Sequence, residues 1–116
     1  MNRNSILTEF FKLGKEELNR GEFYKAHEIW EHIWKHGTDE DRLNIKGMIQ
    51  LSGGLIKINM GQFDSGIYLL RKSIENIETS KKKYTEIDIK DVINQIKGIL
   101  NTESIIESMK PKINIK

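Results

Sequence analysis

Residues 22–34, EFYKAHEIWEHIW, place two histidines, three glutamates and two tryptophans in one short stretch. Imidazoles and carboxylates bind divalent cations and move protons near neutral pH, so this is where chemistry would be sought. On a helical wheel of about 100° per residue centred on Trp30, Phe23 falls at about 20°, Ala26 at about −40°, Ile33 at about −60° and Trp34 at about 40°. His27 lies at about 60°, inside the apolar sector, and Glu31 at about 100°, on its edge, whereas Glu28, His32 and His36 fall on the far side. The expected core stripe is therefore Phe23, Ala26, Trp30 and Trp34. His27 and Glu31, one turn apart, could share a divalent metal or form an oriented acid–base pair. A structural role is preferred, in which Glu31 hydrogen-bonds a half-buried His27 and the pair pins neighbouring helices, because a buried polar group needs a partner whatever its function. His32 and His36 share the same spacing but read as surface, with Glu28 one turn before His32 as a solvated pair. The segment HEIWE is not the H-E-x-x-H pattern of zinc peptidases, since Glu31 stands at the second histidine position and no third ligand is identifiable.

A second unusual stretch, GMIQLSGGLIKIN (47–59), follows. Ile45, Met48, Ile49, Ser52, Leu55, Ile56 and Asn59 form one broad helical face. The Gly53-Gly54 pair costs a helix about 1 kcal/mol per glycine relative to alanine. Close approach of another helix is the preferred explanation, ahead of a floor for a ligand, because a residue without Cβ lets a backbone come near. Gln50 projects away from this face, to be either exposed or, with helices on both sides, a buried hydrogen-bonder.

Five stretches have the periodicity of helices. The first covers about 5–19, with Ile6, Phe10 and Leu13 at helical spacing, Leu18 flanking them and Ser5 as cap. The second covers 23–36 and ends at Gly37, as at a C′ position. TDED (38–41) offers a capping box for a third that runs to about 60, where Gly61 ends it. The fourth covers 63–80 on a stripe of Phe63, Ile67, Leu70, Ile74 and Ile77. TEID (85–88) opens a fifth with Ile89, Val92, Ile93, Ile96 and Leu100, and a short last segment is expected over 103–109. No strand alternation is present. In addition, NRGEFYKAHEIW (19–30) aligns without gaps on NMGQFDSGIYLL (59–70), matching Gly21 to Gly61, Phe23 to Phe63, Ala26 to Gly66 and Trp30 to Leu70. An offset of this size is that of helical repeats and resembles tetratricopeptide logic. The expected fold is all-α, a compact bundle of about five helices built from two αα-hairpins plus a C-terminal covering helix.

At 116 residues the chain is long enough for one domain, expected over 1–109, with the tail 110–116 frayed. There is no cysteine, so disulfides and Cys-type zinc sites are excluded. The net charge is +2, with nine basic and nine acidic residues in 1–58 and ten and eight in 59–116. The Lys81-Lys82-Lys83 run reads as solvated, and nucleic acid is not an expected partner, since a phosphate-tracking face needs more. No stretch resembles a signal peptide or a bilayer-spanning helix, so no membrane association is expected and the cytoplasm, or an organelle stroma, is the expected compartment.

FYKAHEIWEHIW, followed by IKGMIQLSGGLIKINMGQFDSGIYLLRKS, resembles the DUF309 family of small helical proteins. That family shows an aromatic-rich A-H-E-x-x-E-x-x-W helix, then G-L-I-Q with small residues, a Gly-Asn-like turn and a G-A-x-x-L-L helix. The resemblance covers about residues 10–75 and carries over to His27, Glu28, Glu31 and Trp34, with Gly47, Gln50 and Gly61. The sequence departs from the pattern at Met48, at Ser52-Gly53-Gly54 in place of an alanine-rich run, and at Gly66-Ile67. All of these keep the residues small or apolar. The resemblance implies a helical fold and no assigned function, although a metal-dependent hydrolase label is attached to some members.

Two functions follow. In the preferred one the domain is a non-enzymatic interaction or scaffold module with a structural His/Glu pair and no cofactor, offering a groove between helices 2 and 3 to a protein partner or a second copy, anchored by Trp30 or Trp34. In the other, His27 and Glu31, with Glu28 and Gln50, form a metal-dependent hydrolase or small-ligand site, with a divalent metal on His27 and Glu31.

Overall fold

A computed structural model describes the backbone of residues 3–80 and 89–109 and the side chains of residues 8–80 and 90–102. Two glycines organise the chain. Gly21 and Gly61 adopt φ of 81° and 78°, the left-handed region that glycine enters without a Cβ clash. Each closes a Schellman turn: Glu22 N–H donates to the Glu17 carbonyl at 2.9 Å and Gly21 N–H to Leu18 at 3.0 Å. The same pair of bonds recurs from Gln62 to Lys57 at 2.9 Å and from Gly61 to Ile58 at 3.0 Å. These turns join α1 (Arg3–Asn19) to α2 (Phe23–His36), and α3 (Asp39–Asn59) to α4 (Phe63–Glu78), giving the two expected hairpins. α5 (Ile89–Met109) follows as the covering helix, and no strand occurs among the described residues. Among these residues, no helix is long and apolar enough to cross a membrane.

The repeat extends further than the aligned segment. The Trp30 ring lies against the backbone of Gly14, where an added Cβ would overlap it, and Leu70 packs on Gly54, where a Cβ would come within 2.9 Å of Cδ2. Both pairs carry the same offset as Gly21 and Gly61. Each hairpin therefore closes when a large side chain of its second helix settles on a glycine of its first.

The buried lines depart from the expected apolar stripes in α1, and in part in α4, where Leu70 and Ile77 are buried as expected. In α1 the line is Phe11, Gly14 and Leu18, with Phe11 1% exposed, whereas Leu13 is 40% exposed. In α4 it is Gly66, Leu70, Ser73 and Ile77, while Ile67 and Ile74 flank it. The physical reason is shared: reading only apolar side chains passes over glycine and serine, which occupy the closest contacts. A Cβ on Gly66 would lie 2.9 Å from the Gly54 carbonyl, and one on Gly47 would lie 2.6 Å from Ile77 Cγ1, so α3 and α4 approach backbone to backbone. Gly53 does not take part in this approach. A Cβ there would meet only ordinary contacts, Leu69 Cδ1 at 3.6 Å and His27 Cε1 at 3.8 Å.

Helix ends follow local chemistry. Thr38 caps α3 with the full box: Asp41 N–H donates to Thr38 Oγ1 at 3.2 Å and Thr38 N–H to Asp41 Oδ2 at 2.8 Å. Gly37 ends α2 with φ of −90°, not a left-handed one; glycine is needed there for room, since a Cβ would sit 2.5 Å from the Ile33 carbonyl and 2.7 Å from Asp41 Cβ. Ser5 lies inside the first turn of α1, which is already formed at Arg3, rather than at a cap. The separate segment expected over 103–109 is continuous with α5. The TEID box, the Lys81–Lys83 run and the tail 110–116 lie outside the described residues.

The core joins all five helices through Phe11, Ala26, Trp30, Ile33, Ile45, Met48, Leu51, Leu70 and Ile77, with Val92 and Ile96 of α5 closing it. α5 packs chiefly on α4, and an apolar cavity of about 60 Å³ lined by Leu18, Met48, Leu55 and Ile99 among others is left between it, α1 and α3.

Candidate functional site

His27 and Glu31 are brought together: His27 Nε2 lies 2.9 Å from Glu31 Oε1. The other ring nitrogen is held from the neighbouring helix, with His27 Nδ1 2.8 Å from Ser52 Oγ. Ser52 also lies 2.9 Å from the Ile49 carbonyl, so its single hydroxyl hydrogen has two acceptors in reach. The Glu31 carboxylate favours one tautomer of the neutral ring. A hydrogen on Nε2 donates to the Glu31 carboxylate and leaves Nδ1 to accept from Ser52. A hydrogen on Nδ1 alone would turn the Nε2 lone pair towards carboxylate oxygen.

Glu31, His27 and Ser52 thus stand in the order of a hydrolytic triad. The imidazole is 27% exposed and the Glu31 side chain 40%, but Ser52 is fully buried, so no substrate carbonyl reaches its Oγ in this arrangement. The serine orients the ring and ties α2 to α3. Ser52 stood in the sequence as one more small residue on a helix face; the signal that marks it is a hydroxyl on the buried side of α3 opposite a half-buried histidine.

His27 and Glu31 are bonded to one another, three protein ligands are the usual minimum for catalytic zinc, and no group of three or more His, Asp or Glu able to hold an ion assembles among the described residues. Glu28 is exposed and does not pair with His32. The His32 ring instead packs between Phe10, at 4.9 Å between centroids, and His36, at 4.4 Å.

The two tryptophans separate. Trp30 is 0% exposed and its Nε1–H donates to the Phe11 carbonyl at 3.2 Å, so it belongs to the core and is no anchor for a partner. Trp34, expected in the core stripe, is 38% exposed, and Ile33 at 1% takes its place. The buried line of α2 is Ala26, Trp30 and Ile33, because the helix is clasped on that side by α1 and α3. Trp34 instead forms the wall of a groove of about 180 Å³ with Glu31, Lys46, Ile49 and Gln50, between α2 and α3. Gln50 is half-buried and its Oε1 accepts from Asn76 Nδ2 of α4 at 2.6 Å. A larger polar cleft of about 490 Å³ lies between α3 and α4 and shares Lys46 and Gln50 with the groove. Of the residues singled out in the sequence, Glu31, Trp34 and Gln50 line the groove, His27 stands behind Glu31, and Glu28 lies elsewhere.

A family model described as a domain of unknown function, DUF309, matches residues 11–69. That span contains both left-handed glycines, the His27–Ser52 bond and Trp34. The chain is also similar to an uncharacterized protein of Aquifex aeolicus (strain VF5), 25% identical over 109 residues that cover 93% of this chain and 33% of the relative. The chain spans about a third of that relative's length.

Proposed function

The chain belongs to the DUF309 family, whose domain has no assigned function, and from that membership we propose that it works as a non-enzymatic helical interaction module. One observation carries this reading: Trp34 is left 38% exposed on the wall of a groove whose floor is the packed α2–α3 seam. Partly exposed tryptophans beside apolar pockets are the anchors on which protein partners concentrate binding energy. The partner is a protein segment or a second copy of the chain, met in the cytoplasm, and the reading uses no cofactor. His27, Glu31 and Ser52 hold the two helices that form the groove walls. A photo-crosslinking amino acid at position 34, compared with the same group at exposed Tyr24, tests the proposal in cells. A discrete adduct from position 34 and none from position 24 is expected; equal or absent adducts from both positions sink it.

A further inference from the structure

The polar cleft beyond Gln50 is lined from two helices, by Lys46 and Gln50 of α3 and by Tyr68, Lys72 and Asn76 of α4, with Glu75 at its side. Its hydrogen-bonding groups are fixed in direction by a short relay. Asn76 Nδ2 donates at 3.1 Å to the Lys72 carbonyl, which can only accept. That orients the Asn76 amide, whose nitrogen then also donates to Gln50 Oε1 at 2.6 Å. Gln50 therefore has its oxygen turned to Asn76, and its NH₂ group has no partner among the described residues. Two lysines, Lys46 and Lys72, line the same cleft. Lys72 Nζ is 3.3 Å from Glu75 and sits over the Tyr68 ring at 5.8 Å, while Lys46 makes no ion pair among the described residues. Tyr68 is 61% exposed.

We propose that this cleft is a carboxylate-binding subsite, taking an acidic side chain of the same partner segment whose apolar side chain packs on Trp34; the proposal rests on the interaction-module reading. Charge complementarity carries it. The cleft offers two ammonium groups and an amide NH₂ against a single carboxylate, Glu75, which is already engaged by Lys72. A carboxylate fits better than a phosphate. No arginine fork lines the cleft, and one of its two positive charges is offset, so it suits one negative charge rather than two. The groove and the cleft share Lys46 and Gln50 in their linings, which lie one helical turn apart, ~5–6 Å. In an extended peptide, residues i and i+2 point to the same side about 7 Å apart, so an apolar residue followed two positions later by an acid spans both.

The test uses two blocked peptides, acetyl-Ala-Leu-Ser-Glu-Ala-amide and its Gln counterpart, titrated into nitrogen-15-labelled protein. The Glu peptide is expected to move the side-chain NH₂ resonance of Gln50 and to bind roughly fivefold tighter than the Gln peptide at low salt. Lys46→Gln and Lys72→Gln should each remove most of that preference while leaving the helical circular dichroism unchanged, as expected at surface positions. Equal binding of both peptides, with the Trp34 indole resonance moving, overturns the subsite and leaves the groove reading intact. Binding of neither peptide also overturns the subsite, and the crosslink at position 34 then judges the groove alone. Inorganic phosphate moving the Gln50 resonance at lower concentration than the Glu peptide overturns the carboxylate assignment in favour of a general anion site.

Discussion

The buried indole N–H of Trp30 donates to the main-chain carbonyl of Phe11 at 3.2 Å, so α1 and α2 are joined by a directed bond as well as by packing. The ring that makes this bond also covers Gly14. Gly14→Ala should therefore cost about 1–3 kcal/mol through overpacking, despite alanine's better helix propensity. Trp30→Ala should cost about 3–5 kcal/mol through the cavity it leaves. Denaturant unfolding measures both, and a stabilised Gly14→Ala variant would refute the close approach.

The two adjacent glycines of α3 should respond in opposite directions. Gly53 has room for a Cβ, so Gly53→Ala should raise stability by about 0.5–1 kcal/mol, the helix-propensity gain. At Gly54 the added methyl meets Leu70 and the Gly66 carbonyl, so Gly54→Ala should lower stability by more than about 1 kcal/mol. Thermal melts of the two variants side by side check this, and two shifts of the same sign contradict it.

His27 should be the Nε2–H tautomer when neutral, with Ser52 donating to Nδ1. Long-range nitrogen-15 correlation spectra read the tautomer directly. Ser52→Ala should change the Nδ1 shift and cost about 0.5–1.5 kcal/mol, the worth of one hydrogen bond. An unmoved Nδ1 resonance would mean that the serine is not its partner.

Gln50 and Asn76 should be energetically coupled, because the Asn76 amide orients that of Gln50. A double-mutant cycle with Gln50→Ala and Asn76→Ala should return a coupling of about 0.5–1 kcal/mol. Additive effects would show that the bond contributes nothing net.

Much of this was legible in the sequence. The helices, the capping box at Thr38 and Asp41, and the left-handed turns at Gly21 and Gly61 follow from residue types whose local physics leaves few choices. The His27–Glu31 pair was legible for the same reason, since its spacing within one helix settles it. What spacing could not supply is which side of each helix meets a neighbour. Apolar spacing favours Leu13 over Phe11 and Trp34 over Ile33, because the contact lines follow Gly14, Gly54, Gly66 and Ser73, which carry no apolar signal. Ser52 and Asn76 carry no such signal as partners because each acts across helices, through a contact that no single-helix periodicity contains.

The two glycine contacts, Gly14 with Trp30 and Gly54 with Leu70, have a kinetic meaning. Both close over the same short separation, sixteen positions along the chain. Most of the molecule's tertiary structure is thus built from loops that are quick to close, the condition under which helical proteins reach the fast end of folding rates. The first event that requires both hairpins is the meeting of α2 with α3, where His27 finds Ser52. That bond lies on the seam where the two hairpins share one core.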